Sequence, residues 1–253
     1  MVKLQAKERL IIAVDTSDVN RAYEIVGTLS PHVGGFKIGL EFISSTYAQM
    51  VAKCDFVMLE KLHQIFEMAQ KGFTFWDGKW DDIPNTVGGA AKGIQPLNPK
   101  YVDVHTSAGF EAVVNAVKNS PNSTVLGITV LTSIDEEECI LIFGDPRNGA
   151  VLKFAQMLVK AEAGGIVCSG QELIYLKENL GKQFYLLEKI IPGIRPLWAP
   201  PNDQKAFMTP TDALKNGADR IVVGRPITNP PKEIGGMVNA AKLFVEEIEK
   251  IKK

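Results

Sequence analysis

Short apolar, β-rich runs recur along the chain: LIIAVD (10–15), GFKIGL (35–40), FTFWDGK (73–79), YVDVH (101–105), TVLGITVL (124–131), GGIVCS (164–169), LEKIIPGI (187–194) and DRIVVG (219–224). Helix-like segments lie between them. TSDVNRAYEIVGTL offers Ser17 or Asp18 as an N-cap and then spaces Val19, Ala22, Ile25 and Val26 along one face. AGFEAVVNAVKNS and KEIGGMVNAAKLFVEEIEKIKK carry the same kind of pattern. Strands alternating with helices imply parallel pairing through helical crossovers. Eight is also the number of strands that closes a (β/α)8 TIM barrel, so an α/β barrel is the predicted fold class. A doubly wound open sheet is the α/β alternative. No linker, repeat or low-complexity stretch divides the chain, and residues 1–253 are expected to form a single barrel domain.

Composition narrows the setting. A length of 253 residues suits one barrel, and a formal net charge of -1 gives no support for a nucleic-acid or anionic-membrane partner. Cys54, Cys139 and Cys168 are odd in number and far apart. They read as reduced thiols, neither a disulfide framework nor a metal site. The opening MVKLQAKERL lacks the long apolar core of a signal peptide, and no apolar run reaches the length of a membrane span. A cytoplasmic location is therefore expected.

A barrel carries its chemistry at the C-terminal ends of its strands. The polar residues there are Asp15, Lys37, Asp77, Lys79, His105, Thr132, Arg195 and Arg225. Most strand ends meet solvent, which suits charge whatever its task. Lys37 is different, because it sits between Phe36 and Ile38 inside an apolar strand. A buried ammonium is costly unless paired, so a carboxylate is expected beside it. FTFWDGKWDDIPNT supplies candidates. Residues i and i+2 of a strand share a face, so Asp77 and Lys79 project together. Asp82 follows where the chain turns towards the next helix. Lys37 and Lys79 can then alternate with Asp77 and Asp82 in one charged array. Spacing alone leaves two readings open, a structural salt-bridge network and a catalytic array.

The stretch Asp77-x-Lys79-x-x-Asp82-Ile83-Pro84-Asn85-Thr86 resembles the D-x-K-x-x-D-I-P-N-T signature of the orotidine 5′-phosphate decarboxylase family. The resemblance extends over about residues 10 to 230: Asp15 at an early strand end, GFKIG around Lys37, VLTS at 130–133, PGIRP at 192–196, Asp203-Gln204, MTP at 208–210 and VVGRPIT at 222–228. The departures are Gly78 and Trp80, where an apolar residue and an aromatic or histidine are more usual, an extra charge at Asp81, and LWAPPN in the lid. They bear on loop packing, since the charged quartet is intact.

The resemblance implies cofactor-free, metal-free loss of CO₂ from orotidine 5′-phosphate, giving uridine 5′-phosphate as the last step of de novo pyrimidine nucleotide synthesis. The resulting C6 carbanion has no adjacent carbonyl to delocalise into, so preorganised charge must stabilise it. Lys79 then fits the cation beside C6 and the proton donor to it, Asp77 the neighbour of the departing carboxylate, and Lys37 and Asp15 the ribose hydroxyls. The positions of Asp82 and Thr86 imply reach into a second subunit's site, hence a homodimer. Thr132 and Ser133 fit pyrimidine recognition. Gly224 and Arg225 sit after the eighth strand, where barrels often bind phosphate, with Arg195 and a Gln204 that could bridge phosphate and base. His105 reads as a strand-end core residue and His63 as a helix-surface one. The alternatives are a magnesium-dependent phosphosugar decarboxylase with the same D-x-K-x-x-D core, a Schiff-base aldolase using Lys79, and a non-catalytic nucleotide-binding barrel.

Overall fold

The computed structural model describes residues 4–199 and 208–251. Its eight strands are β1 (Leu10–Val14), β2 (Gly35–Gly39), β3 (Phe73–Trp80), β4 (Tyr101–His105), β5 (Thr124–Ile128), β6 (Gly165–Val167), β7 (Glu188–Ile191) and β8 (Arg220–Val223). They close into a barrel in chain order with every neighbouring pair parallel. The barrel expected from the alternation is therefore formed, and the open sheet is excluded. Among the described residues no helix is long and apolar enough to cross a membrane.

The helices are α1 (Val19–Leu29), α2 (Leu40–Lys53), α3 (Phe56–Ala69), α4 (Pro84–Ile94), α5 (Phe110–Lys118), α6 (Glu136–Phe143), α7 (Arg147–Lys160), α8 (Leu173–Leu180), α9 (Pro210–Lys215), α10 (Arg225–Thr228) and α11 (Met237–Lys250). Local chemistry sets where several begin. Asp18, one of the two candidate caps, accepts the Asn20 N–H at 2.8 Å and starts α1. Asp55 and Asp135 do the same for α3 and α6, each at 2.9 Å. α1 buries Val19, Ala22, Ile25, Val26 and Leu29, the face its spacing predicts.

Strand alternation divides the core into two layers. Ile11, Ala13, Phe75, Tyr101, Leu126, Ile190 and Val222 fill the barrel interior. Their neighbours in sequence, such as Ile12, Val102 and Ile221, face the helices. The inward parity continues to the strand ends. It carries Asp15 after Ala13, Lys37 and Gly39 on β2, Asp77 after Phe75, and Asp103 and His105 after Tyr101.

The N-terminal end of the barrel is closed by a polar knot. The Tyr101 hydroxyl donates to Glu188, whose Oε1 also accepts from Arg220 Nε at 2.7 Å. Arg220 further donates to the Glu8 carbonyl and lies over the Phe73 ring, 4.8 Å from its centroid. Arg220 is buried, so removing its carboxylate leaves an uncompensated charge. Glu188→Ala is expected to cost about 3 kcal/mol in urea unfolding, somewhat discounted because Glu188 is partly exposed. A loss under about 1 kcal/mol would mean that the Glu8 carbonyl and the Phe73 ring hold the guanidinium without it.

Candidate active site

The opposite mouth of the barrel opens into a cavity of ≈ 540 Å³. Asp77, buried on β3, is its electrostatic centre. Lys37 Nζ lies 2.6 Å from Asp77 Oδ2 and 3.0 Å from Asp15 Oδ1. Lys79 Nζ pairs with the other oxygen, Asp77 Oδ1. Charges therefore alternate Asp15, Lys37, Asp77, Lys79 within one chain, and the carboxylate expected beside Lys37 is present twice over.

These contacts decide the charge states. Burial acts to lower the Lys37 pKa, but Asp77 and Asp15 outweigh it and leave the ammonium above its ordinary value. Burial likewise acts to raise Asp77, and Lys37, a hydrogen bond from Asp103 and Lys79 together hold its carboxyl well below the usual carboxylate range. Asp103 moves the other way. Burial, and next the Asp77 charge, push it well above that range.

The backbone here is irregular. Trp76 pairs with Val102 and Trp80 with Val104, so Asp77, Gly78 and Lys79 stand opposite the single residue Asp103. Lys79 adopts φ 47°, left-handed and uncommon for a residue with a side chain. Its N–H is accepted by Asp103 Oδ1 at 2.7 Å. Gly78 sits between two indoles: a Cβ there would stand 2.8 Å from Trp76 Nε1 and 3.1 Å from Trp80 Nε1. Gly78 and Trp80, two of the departures noted in the sequence, are thus steric partners.

Thr132, Arg195, Gly224 and Arg225 line the same cavity as the quartet. Arg195 is buried and Arg225 exposed. The loop after β7 is pinned at its base, where Arg195 N–H donates to the Met208 carbonyl at 2.9 Å and Met208 N–H to that of Gly193 at 3.3 Å. Trp198 packs edge-on against Phe244 of α11. Gln204 lies outside the described residues. Ser133 is exposed and does not line the cavity.

Asp82 corrects the array drawn from spacing. It is exposed, lies outside the cavity lining, and its Oδ1 accepts the Ile83 N–H at 2.7 Å, just ahead of α4. The bulge and the turn at Pro84 carry it away from Lys79, and Asp15 takes the place in the array. Thr86, in the first turn of α4, is likewise exposed and outside the lining of the chain's own cavity. His63 is on the α3 surface beside Glu67, as expected. His105, half-buried at the end of β4, has its pKa lowered chiefly by burial.

Two residues of the site do not emerge from the sequence pattern. Asp103 carried the signal that singled out Lys37, a charged residue amid an apolar strand. Gly39 shares an inward face with Lys37, and a Cβ there would stand 2.9 Å from Lys37 Nζ and 3.1 Å from Asp15 Oδ1. A side chain at 39 would crowd that ion pair and require the Lys37 ammonium to shift.

Comparison with known proteins matches this geometry to a family. The profile of the orotidine 5′-phosphate decarboxylase / HUMPS family matches residues 8–234. The chain is 36% identical over 258 residues to orotidine 5′-phosphate decarboxylase of Syntrophomonas wolfei, covering 97% of this chain and 100% of that one. It is 33% identical over 263 residues to the enzyme of that name from Moorella thermoacetica, covering 100% of this chain and 96% of that one. Among solved structures, orotidine 5′-phosphate decarboxylase from Lactobacillus acidophilus superposes with a TM-score of 0.71 at 27% identity, covering 94% of this chain and 98% of that one. With a matched region that runs from just before β1 to just before α11 and holds the whole charged quartet, this chain belongs to the orotidine 5′-phosphate decarboxylase / HUMPS family.

Proposed function

We propose that this chain converts orotidine 5′-phosphate to uridine 5′-phosphate and CO₂, without metal or organic cofactor, as the last step of de novo pyrimidine nucleotide synthesis in the cytoplasm. The observation that carries this reading is the Asp15–Lys37–Asp77–Lys79 chain of ion pairs at the mouth of the barrel. Full-length relatives that bear the decarboxylase name support it.

The chemistry follows from charge. The C6–carboxylate bond breaks, CO₂ departs, and the electron pair stays at C6 of the pyrimidine. The Lys79 ammonium stabilises that pair and gives it a proton, and solvent later restores the proton to Lys79. Asp77 sits beside the departing carboxylate and, with its other oxygen, orders Lys37. Because these charges are fixed before substrate arrives, little reorganisation is required in the transition state. Lys37 and Asp15 take the ribose hydroxyls, and Thr132, which lines the cavity where Ser133 does not, the pyrimidine edge. Arg225, Arg195, Gly224 and Gln204 take the phosphate, whose binding energy can be spent on closing the loop after β7.

We further propose a homodimer in which Asp82 and Thr86 complete the partner's site. Both are exposed and outside their own cavity, and the neighbouring Ile83 is an exposed apolar side chain. A Schiff-base role for Lys79 is disfavoured, because it would break the ion pair with Asp77 and leave that buried carboxylate short of a partner.

The reading is tested by following loss of orotidine 5′-phosphate absorbance with and without EDTA. Turnover is expected to survive chelation. Its loss on chelation would favour the magnesium-dependent alternative. In the same assay Lys79→Ala is expected to leave no detectable turnover in a folded protein. Activity within about tenfold of wild type, equivalent to only about 1.4 kcal/mol, would remove Lys79 from the role of proton donor.

Arg225→Ala is expected to lower kcat/KM for orotidine 5′-phosphate by about a thousandfold or more, while scarcely altering turnover of the nucleoside that lacks phosphate. A lost contact is felt only where the ligand makes it. Equal damage to both substrates would make Arg225 structural.

The shared site is checked by complementation. Lys79→Ala and Asp82→Ala homodimers should each be nearly inactive. Refolded together in equal amounts, about half of the dimers are mixed, each with one intact site, so roughly a quarter of wild-type activity should return. If mixed dimers form and activity does not return, Asp82 acts within its own chain.

A further inference from the structure

Asp103 has no task in the mechanism above, yet the site is built around it. It is fully buried in the barrel interior, between the inward residues Tyr101 and His105 of β4. It is also the single β4 residue opposite the three bulged residues Asp77, Gly78 and Lys79. A bulge takes backbone groups off the ladder, and those groups need other partners. Asp103 Oδ1 supplies one by accepting the Lys79 N–H at 2.7 Å. Lys79 is held there with φ 47°. A left-handed residue with a side chain costs on the order of 1–2 kcal/mol and persists only where its surroundings over-determine it.

The other oxygen presents a puzzle. Asp103 Oδ2 is buried and, among the described residues, receives no hydrogen bond. Yet the carboxyl group is within hydrogen-bonding reach of Asp77. Two ionised carboxylates at that separation, one of them fully buried, repel each other in a medium that screens poorly. A single proton shared between them removes the repulsion and satisfies the orphaned oxygen. Asp77 is not the group that keeps it, since it already accepts from two ammonium groups.

We propose that Asp103 is a positioning residue that works as a neutral acid: its Oδ1 accepts the Lys79 N–H while a proton on Oδ2 is donated to Asp77. One side chain thereby locks both the backbone that carries Lys79 and the carboxylate against which its ammonium rests. This rests on the reading that Asp77 and Lys79 are the reacting pair. The opposite displacements of the two carboxyls, Asp103 pushed up and Asp77 pulled down, agree with it. An asparagine would do the same work, offering its carbonyl to Lys79 N–H and its amide N–H to Asp77. Leucine, of similar size, would do neither.

The test compares Asp103→Asn with Asp103→Leu. Asp103→Asn is expected to keep kcat and KM within about threefold of wild type. Asp103→Leu is expected to lower kcat about a hundredfold with a far smaller change in KM, because misplaced reacting groups slow chemistry while the distant phosphate contacts still bind. Counting active sites by titration with a tight nucleotide analogue separates this from a loss of folded protein. Loss of kcat in Asp103→Asn as large as in Asp103→Leu would overturn the proposal.

A second measurement needs no turnover. The charged groups facing Asp103 are Asp77 and Lys79 on β3, with Lys37 and Asp15 beyond them and the partly buried His105 on β4 itself. A carboxyl whose folded pKa is raised stabilises the fold fully below its unfolded pKa. That contribution is lost as pH rises towards the folded value. Asparagine has no such dependence. The melting temperature of Asp103→Asn should therefore gain on wild type as pH rises above about 4, the unfolded carboxyl value. Parallel curves for the two proteins between about pH 5 and 9 would mean that Asp103 is ionised when folded, and would overturn the proposal. If wild type fails to decarboxylate orotidine 5′-phosphate, the functional reading falls while this stability comparison still decides the proton on Asp103.

Discussion

The site depends on keeping one carboxylate, Asp77, ionised inside the barrel. Its side chain is only 4% exposed, and an isolated charge there would take up a proton instead. Two ammonium groups prevent that, one on each oxygen. Lys37 in turn needs a second anion to offset its own burial, which Asp15 supplies. The quartet is neutral as a whole but strongly polarised, with Lys79 at one end and Asp15 at the other. Polarised neutrality suits a reaction in which negative charge moves from a carboxylate to a ring carbon. The field is fixed in direction, and the assembly bears no large net charge that would destabilise the fold.

Strand parity makes such an assembly affordable. The inward positions that place Asp15, Lys37, Asp77 and Asp103 at one mouth place Ile11, Phe75, Tyr101 and Leu126 in the layers below. The charged layer thus rests on a packed apolar floor. The far end has its own charged knot, Tyr101, Glu188 and Arg220, with every partner internal to the chain. Polar groups at that end satisfy one another. At the cavity end the Lys79 side chain stays partly open towards solvent. That asymmetry separates holding the barrel shut from meeting a substrate.

Much of this was legible because parallel strands buried on both faces read as continuous apolar runs. All eight strands fall where those runs lie. Their C-terminal limits were less legible. The fifth apolar run extends through Leu131 but β5 ends at Ile128, and the seventh extends through Ile194 although β7 ends at Ile191. Val130 and Ile194 lie past the ladder yet are buried, so hydrophobicity continues after hydrogen bonding stops. The charged array was half legible. Lys37, Asp77 and Lys79 follow from parity, but placing Asp82 with them assumed a regular strand and a close turn. The bulge breaks that assumption, and Lys79, with neither glycine nor asparagine to announce a left-handed backbone, gives no local sign of it. Asp103 is masked in the sequence because YVDVH reads as one apolar run.

The bulge also accounts for the composition around it. A regular β3 would continue its ladder on β4 and turn successive side chains to opposite faces. Instead the chain leaves the ladder after Trp76 and rejoins it at Trp80. Glycine at 78 is the obvious weak point, since it forgoes side-chain packing and adds backbone freedom to be lost on folding. Here that freedom is confined. The indoles of Trp76 and Trp80 close on Gly78 from two sides, at distances no real Cβ would tolerate from Trp76. The next residue is tied through its N–H to Asp103. A small residue between two large ones, with a buried acceptor across the strand pair, is a way to hold an irregular backbone as firmly as a regular one. In that setting Gly78 and Trp80 read as one steric solution, through which this chain reaches the Asp77–Lys79 geometry that the charged quartet requires.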